Sequence, residues 1–198
     1  MIHISIHLER IDPLKLYFVL ALLVAGMNVY LKFAFFKANP SGMVKIIECN
    51  FDDPHQCNAV ITLMNHYMAD EMGGKLPPYS DEIALKIIEG LKNHPSRLVL
   101  LAQYSGEYVG LCNCFINFAT FSAKPFINIH DIVVLDKYRG LKIGRKLMEA
   151  IDTKARELGC GKITLEVRDD NKRAQKLYKN MGFEEGKPVM HFWSKYFK

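Results

Sequence analysis

The chain has 198 residues, 49% of them hydrophobic, and a formal net charge of +5, which is enough apolar content for one substantial core and excludes a disordered or low-complexity protein. The charge is uneven: residues 43 to 107 hold five Lys/Arg against nine Asp/Glu, and residues 108 to 198 hold seventeen against ten. The five cysteines, Cys49, Cys57, Cys112, Cys114 and Cys160, are odd in number and lack CxxC spacing, so neither a disulfide framework nor a zinc site is expected.

Residues 1 to 42 stand apart. Leu16 to Leu31 is uncharged between Lys15 and Lys32, and sixteen helical residues would reach only about 24 Å, short of the ~30 Å hydrocarbon core of a bilayer. Glu9 and Asp12 offset Arg10 and Lys15, which does not suit a cleaved signal. Three readings remain: sequence upstream of the true start, a membrane anchor through about 14–36, or an extra packing or dimerising helix. Asn39-Pro-Ser-Gly42 breaks the pattern, and a second unit, 43–198, begins at Met43.

From there the elements alternate. Val44 to Glu48 reads as a strand, His55 to Ala69 as a helix, and Gly73 to Ser80 as a loop. Asp81 can cap a second helix through Leu91. Arg97 to Gln103 and Tyr108 to Thr120 read as strands joined across Ser105-Gly106, a hairpin signal. Ile127 to Leu135 is a β-branched strand whose alternation places Asn128, His130, Ile132 and Val134 on one face and Ile129, Asp131, Val133 and Leu135 on the other. A helix over 143–158, a strand Lys162 to Val167, a helix from Asn171 and a final strand near Val189 to Phe197 complete the chain.

The informative stretch is Tyr138-Arg-Gly-Leu-Lys-Ile-Gly-Arg145, two glycines and three cations between a strand and a helix. Free N–H groups at a helix start attract phosphate, Gly140 and Gly144 permit close approach, and Arg139, Lys142 and Arg145 bring charge. A solvated turn has the same composition. Asn171-Lys-Arg-Ala-Gln-Lys-Leu-Tyr-Lys-Asn-Met-Gly-Phe183 follows about thirty residues on.

Together these two motifs resemble those of the GNAT superfamily of acyl-CoA-dependent N-acyltransferases, over roughly Met43 to the C-terminus. Arg139 and Gly144 match its pyrophosphate loop, whereas Lys142 replaces the loop's first glycine. The resemblance implies an α/β (α+β) fold: a mixed, mostly antiparallel, twisted sheet of six or seven strands flanked by about four helices, with ligand bound where adjacent strands diverge. It implies direct acetyl transfer from acetyl-CoA to a primary amine of a small molecule or a protein. It also implies cofactor contacts from Val133, Val134 and Leu135 and from Arg139, Gly140, Leu141, Lys142, Ile143, Gly144, Arg145 and Asn171. The backbones of Val133 and Leu135 are expected to hold the pantetheine and the acetyl oxygen.

Tyr178 matches the general acid that protonates the departing thiolate. A core tyrosine would have the same spacing. His130 falls where the diamine N-acetyltransferases of this family carry a carboxylate proposed as base, and imidazole suits that task. A histidine hydrogen-bonded within the sheet is the bland alternative. Asp131 matches the acid that follows, and it and Tyr79 are candidates for acceptor binding. Asp70, Glu71, Asp81 and Glu82 could add a cation-binding mouth. No metal and no nucleic acid is expected, a homodimer is left open, and acetyl-CoA use points to the cytoplasm or to an anchored enzyme facing it. The competing class is a non-catalytic acyl-CoA-binding regulatory module, and a third is a membrane-tethered interaction protein.

Overall fold

The computed structural model describes residues 43–188 and 190–197, so the stretch 1–42, with the anchor that is one of its three readings at 14–36, lies outside the described residues. Among the described residues no helix is long and apolar enough to cross a membrane. The elements are β1 (Lys45–Glu48), α1 (Pro54–Ala69), α2 (Asp81–Asn93), β2 (Arg97–Tyr104), β3 (Glu107–Ala119), β4 (Lys124–Val134), a 3₁₀ turn (Asp136–Tyr138), α3 (Ile143–Glu157), β5 (Lys162–Leu165) and α4 (Lys172–Lys179). They form the mixed α/β architecture expected, with four helices around one sheet.

Local chemistry sets the boundaries. Asp53 accepts from His55 N at 2.9 Å and Pro54 opens α1, where a missing N–H costs nothing. Ser80, not Asp81, caps α2 by accepting from Ile83 N, and Asp81 becomes its first residue. Asn171 caps α4 by accepting from Ala174 N at 3.1 Å. Between β2 and β3, Ser105 and Gly106 take φ of +51° and +85°, the left-handed pair that a tight two-residue hairpin requires.

Among the described residues the sheet has five strands in the order β1-β2-β3-β4-β5, fewer than the six or seven expected. The missing strand is the one foreseen near Val189 to Phe197. Among the described residues there, none is in a strand, and Met190, Phe192, Trp193, Tyr196 and Phe197 are exposed. Alternation specifies a strand only where one face has something to bury against, and here these side chains meet no core. Three pairings are antiparallel and β4–β5 is parallel.

Both faces of the sheet are covered. Leu98, Leu100, Cys112 and Ile127 pack with Ile143, Leu147 and Ile151 of α3, whereas Val99, Leu101, Leu111 and Val133 pack with Val60 and Leu63 of α1. Cys112 and Cys114 share the α3 face as free thiols, with sulfurs 3.5 Å apart.

Two irregularities in β4 shape the site. Asn113 pairs with Asp131 but Cys114 pairs with Ile129, so His130 is the extra residue of a β-bulge. The bulge breaks the uniform alternation expected for this strand. Ile127 and Ile129 share the α3 side with Ile132 and Val134, while Val133 turns to the α1 side. His130 packs its ring 5.8 Å from Phe115, which alternates with Cys114, and so lies on the side of Asp131 and not of Ile132. The second irregularity is that pairing with β5 ends at Ile129 with Leu165, so β4 runs on to Val134 with one edge open.

Candidate active site

The open edge of β4 forms one wall of a cavity of about 390 Å³. Ile132, Val133 and Val134 line it, with Tyr138 to Gly140 and Lys142 to Arg145 from the loop and α3, and Asn171, Arg173, Leu177 and Tyr178 from α4. Tyr67, Asp70 and Met72, at the end of α1, close it from the other side.

Backbone groups decide what this wall can hold. Leu135 N–H donates to Val109 O at 3.0 Å, and hydrogen-bonded pairs alternate along an antiparallel ladder. Leu135 and Val133 are therefore engaged with β3, and the N–H and C=O groups of Ile132 and Val134 are the ones directed at the open edge. This corrects the expectation that Val133 and Leu135 offer their backbones. Leu135 and Leu141 are packed against the core and do not line the cavity.

At the other end, α3 starts without any side-chain cap, leaving the first-turn N–H groups for an anion. Its N-cap, Lys142, is held left-handed at φ +60° and ψ +17°. That conformation costs a side-chain-bearing residue roughly 1–2 kcal/mol and is the physical reason a glycine suits this position. Among the described residues Lys142, Arg145 and Arg173 make no ion pair, so three cations surround the helix start. Arg139 does not join them freely. Its guanidinium pairs with Asp70 at 3.1 Å and Asp136 at 2.6 Å, tying the end of α1 to the loop. The Met72 N–H first, and Arg139 after it, hold the Asp70 carboxyl below the usual range. Uncapped amides and three cations beside the open strand edge suit a polyanion such as a pyrophosphate.

The acetyltransferase (GNAT) family model matches residues 60–183, more than half of the chain. The protein is a GNAT acetyltransferase. An N-alpha-acetyltransferase of Sulfurisphaera tokodaii is 32% identical over 114 residues, 54% of this chain and 68% of that protein. A thialysine N-epsilon-acetyltransferase of Bos taurus is 35% identical over 77 residues, 39% of this chain and 45% of the relative, so the chain spans under half of it. A solved structure described as a probable acetyltransferase superposes with a TM-score of 0.67 at 20% identity, covering 78% of this chain and 99% of that one. Its likeness is one of fold.

In this GNAT enzyme Tyr178 lines the cavity and is 7% exposed. Burial, then the neighbouring Cys112 and Tyr67, push its phenol up to about 12, so the proton stays on oxygen at any physiological pH. Gly144 faces Leu177: a Cβ there would sit 3.5 Å from Leu177 Cδ2, ordinary contact for alanine but with little room beyond. Asn171 lines the cavity while capping α4.

The acceptor candidates fall elsewhere. Asp131 is half-buried on the α1 side and accepts from Asn113 Nδ2 at 3.0 Å. Tyr79 is fixed through its N–H to Asn65 Oδ1 at 3.0 Å, and burial, then the charge of Asp131, raises its phenol. His130 is exposed and does not line the cavity, because the bulge turns it towards Phe115. Of the acidic mouth, Asp70 is spent on Arg139, Glu71 pairs with Lys75 at 3.9 Å, and Glu82 with Lys86 at 2.5 Å. Tyr67, Met72, Tyr138 and Arg173 were not among the sequence candidates. Arg173 had a signal, two residues after the helix cap Asn171, whereas Tyr67 reaches the cavity only through the packing of α1 on the sheet.

Proposed function

We propose that the enzyme transfers the acetyl group of acetyl-CoA directly to a primary amine of a small molecule or a protein. Bound acetyl-CoA supplies a thioester whose carbonyl carbon the neutral amine nitrogen attacks, releasing CoA as a thiolate and forming an amide. The chain's part is to hold and to move protons. Outward N–H groups of Ile132 and Val134 steady the carbonyl oxygen and the pantetheine, and the α3 start with Lys142, Arg145 and Arg173 holds the phosphates. Tyr178 gives its proton to the thiolate, and His130, on the side of Asp131, takes the amine's proton through water. Asp131 and Tyr79 meet the acceptor.

One observation carries this reading: a single cavity joins an uncapped, cation-ringed helix start to a buried, protonated tyrosine beside an open strand edge. The names of the relatives fit it, one acting on a side-chain amine and another on an α-amine. The exposure of His130 is the observation favouring a non-catalytic acyl-CoA-binding module. A screen of primary amines with acetyl-CoA separates the two. Amine-dependent thiol release is expected, and CoA binding without release for any amine would overturn the enzymatic reading.

A further inference from the structure

Five large apolar side chains, Met190, Phe192, Trp193, Tyr196 and Phe197, stand within eight residues at the end of the chain, each between 78% and 90% exposed. An exposed apolar residue by itself needs no explanation, but a run this dense marks a contact surface. Its counterpart lies on the same molecule. β5 is the last strand of the sheet, and among the described residues its outer edge pairs with no other strand. Beside it is a groove of about 350 Å³ that shares no lining residue with the active-site cavity. Ile163, Met181 and Phe183 give the groove a half-buried apolar lining, and Asp152, Arg156 and Glu184 give it charge. Among the described residues those three make no ion pair, whereas their neighbours Lys154, Glu157, Lys179 and Glu185 do.

Tail and groove match in length, chemistry and charge. Eight extended residues reach about 26 Å at ~3.3 Å each, enough to run along the four residues of β5 and through the groove beside it. Main-chain groups of an added strand satisfy a free sheet edge while alternate side chains fill the pockets next to it. Lys195 brings a cation to Asp152 and Glu184, and the Arg156 guanidinium suits the face of an aromatic ring. Within one chain the five tail side chains stay exposed and the groove stays open. We propose that the groove receives the tail of a second copy, so that the protein is a homodimer in which each chain lays residues 190–197 along β5 of the other. The exchange is reciprocal and closes as a two-fold pair. Four aromatic rings at roughly 150–250 Å² each bury ~800 Å² per tail, and two tails reach the ~1,600 Å² of a standard stable interface. The contact is independent of the catalytic reading.

The test measures the mass of the full chain by sedimentation over a range of micromolar concentrations. A dimer is expected. Phe192→Ser combined with Trp193→Ser should raise its dissociation constant roughly 100-fold or more, the scale of losing buried aromatic anchors, with CoA affinity unchanged because the tail does not line that cavity. Asp152→Arg with Glu184→Arg should weaken the dimer about 10-fold, and Lys195→Glu added to that background should recover part of the loss. Should the serine pair fail to fold, deletion of 190–198 replaces it. A monomer at every concentration, a dimer as tight without the aromatic tail as with it, or charge reversal with no recovery by Lys195→Glu would each overturn the proposal. Two further results would overturn it by naming another occupant. A monomer whose β5 amides lose exchange protection on tail deletion would show the tail closing its own groove, and tail-dependent binding of a monomer to anionic phospholipid vesicles would make the tail a membrane contact.

Discussion

Replacing Tyr178 with phenylalanine removes one oxygen and keeps the ring, whose centroid lies 5.9 Å from that of Phe183. Its phenol is pushed up to about 12, chiefly by burial. A thiol ordinarily titrates near ~8.5, so complete proton transfer to a free thiolate is uphill by roughly 3.5 pKa units, or ~5 kcal/mol. That fits within the ~16 kcal/mol barrier of an enzyme turning over about ten times per second. As the proposed acid, Tyr178 would stabilise the leaving sulfur first as a hydrogen-bond donor and complete the transfer as negative charge builds. Loss of the hydroxyl should lower kcat by roughly 10² to 10⁴-fold, the usual worth of a positioned acid, with CoA affinity nearly intact. Steady-state thiol release and CoA calorimetry read the two quantities. Stability supplies an independent readout. The folded-state pKa lies above the unfolded value of about 10, so its contribution is complete below pH 10 and is lost as pH rises from 10 to about 12. The wild type should lose ~2–3 kcal/mol more than Tyr178→Phe across that window. A phenylalanine enzyme with normal kcat and the same alkaline unfolding would return Tyr178 to an ordinary core residue.

Lys142→Gly relieves a left-handed φ of +60° while adding chain entropy to the unfolded state, and the two effects nearly cancel, so chemical denaturation should show a change within ~1 kcal/mol. Calorimetry should then show weaker CoA binding from loss of the ammonium; unchanged affinity would mean that only the backbone serves. Gly144→Ala should bind CoA normally, since its Cβ would lie 3.5 Å from Leu177 Cδ2, whereas Gly144→Glu places a carboxylate where phosphate is expected and should cost ~100-fold or more in affinity. Residues 43 to 198 expressed alone should melt cooperatively, because Met43–Lys198 is a compact unit; aggregation would show that 1–42 belongs to the fold.

Short-range chemistry was readable from the chain. The glycine and cation loop at a helix start and the Ser105-Gly106 hairpin each depend on residues a few positions apart. What could not be read depends on distance or on a break in period. Arg139 looks like a free phosphate ligand until Asp70, sixty-nine positions away, is brought to 3.1 Å by the packing of α1. The His130 bulge is invisible to a period-two rule, because one extra residue moves every later side chain of the strand to the opposite face.

That slip has a functional consequence beyond the sorting of side chains. Had β4 alternated without interruption from Ile127, Asp131 would share the α3 face with Ile127 and Ile129, placing a carboxylate in the apolar layer. The extra residue sends Asp131 to the α1 face, where Asn113 Nδ2 meets it, and still returns Ile132 and Val134 to the α3 face. One strand can then present an apolar edge towards Tyr178 and α4 and a fixed negative charge towards Tyr67 and Tyr79, within four residues. An acyl donor and a cationic acceptor need opposite surroundings. In the proposed reaction the bulge lets a single β-strand supply both, and deletion of His130 should lower turnover well beyond His130→Ala, which removes the imidazole but keeps the extra residue.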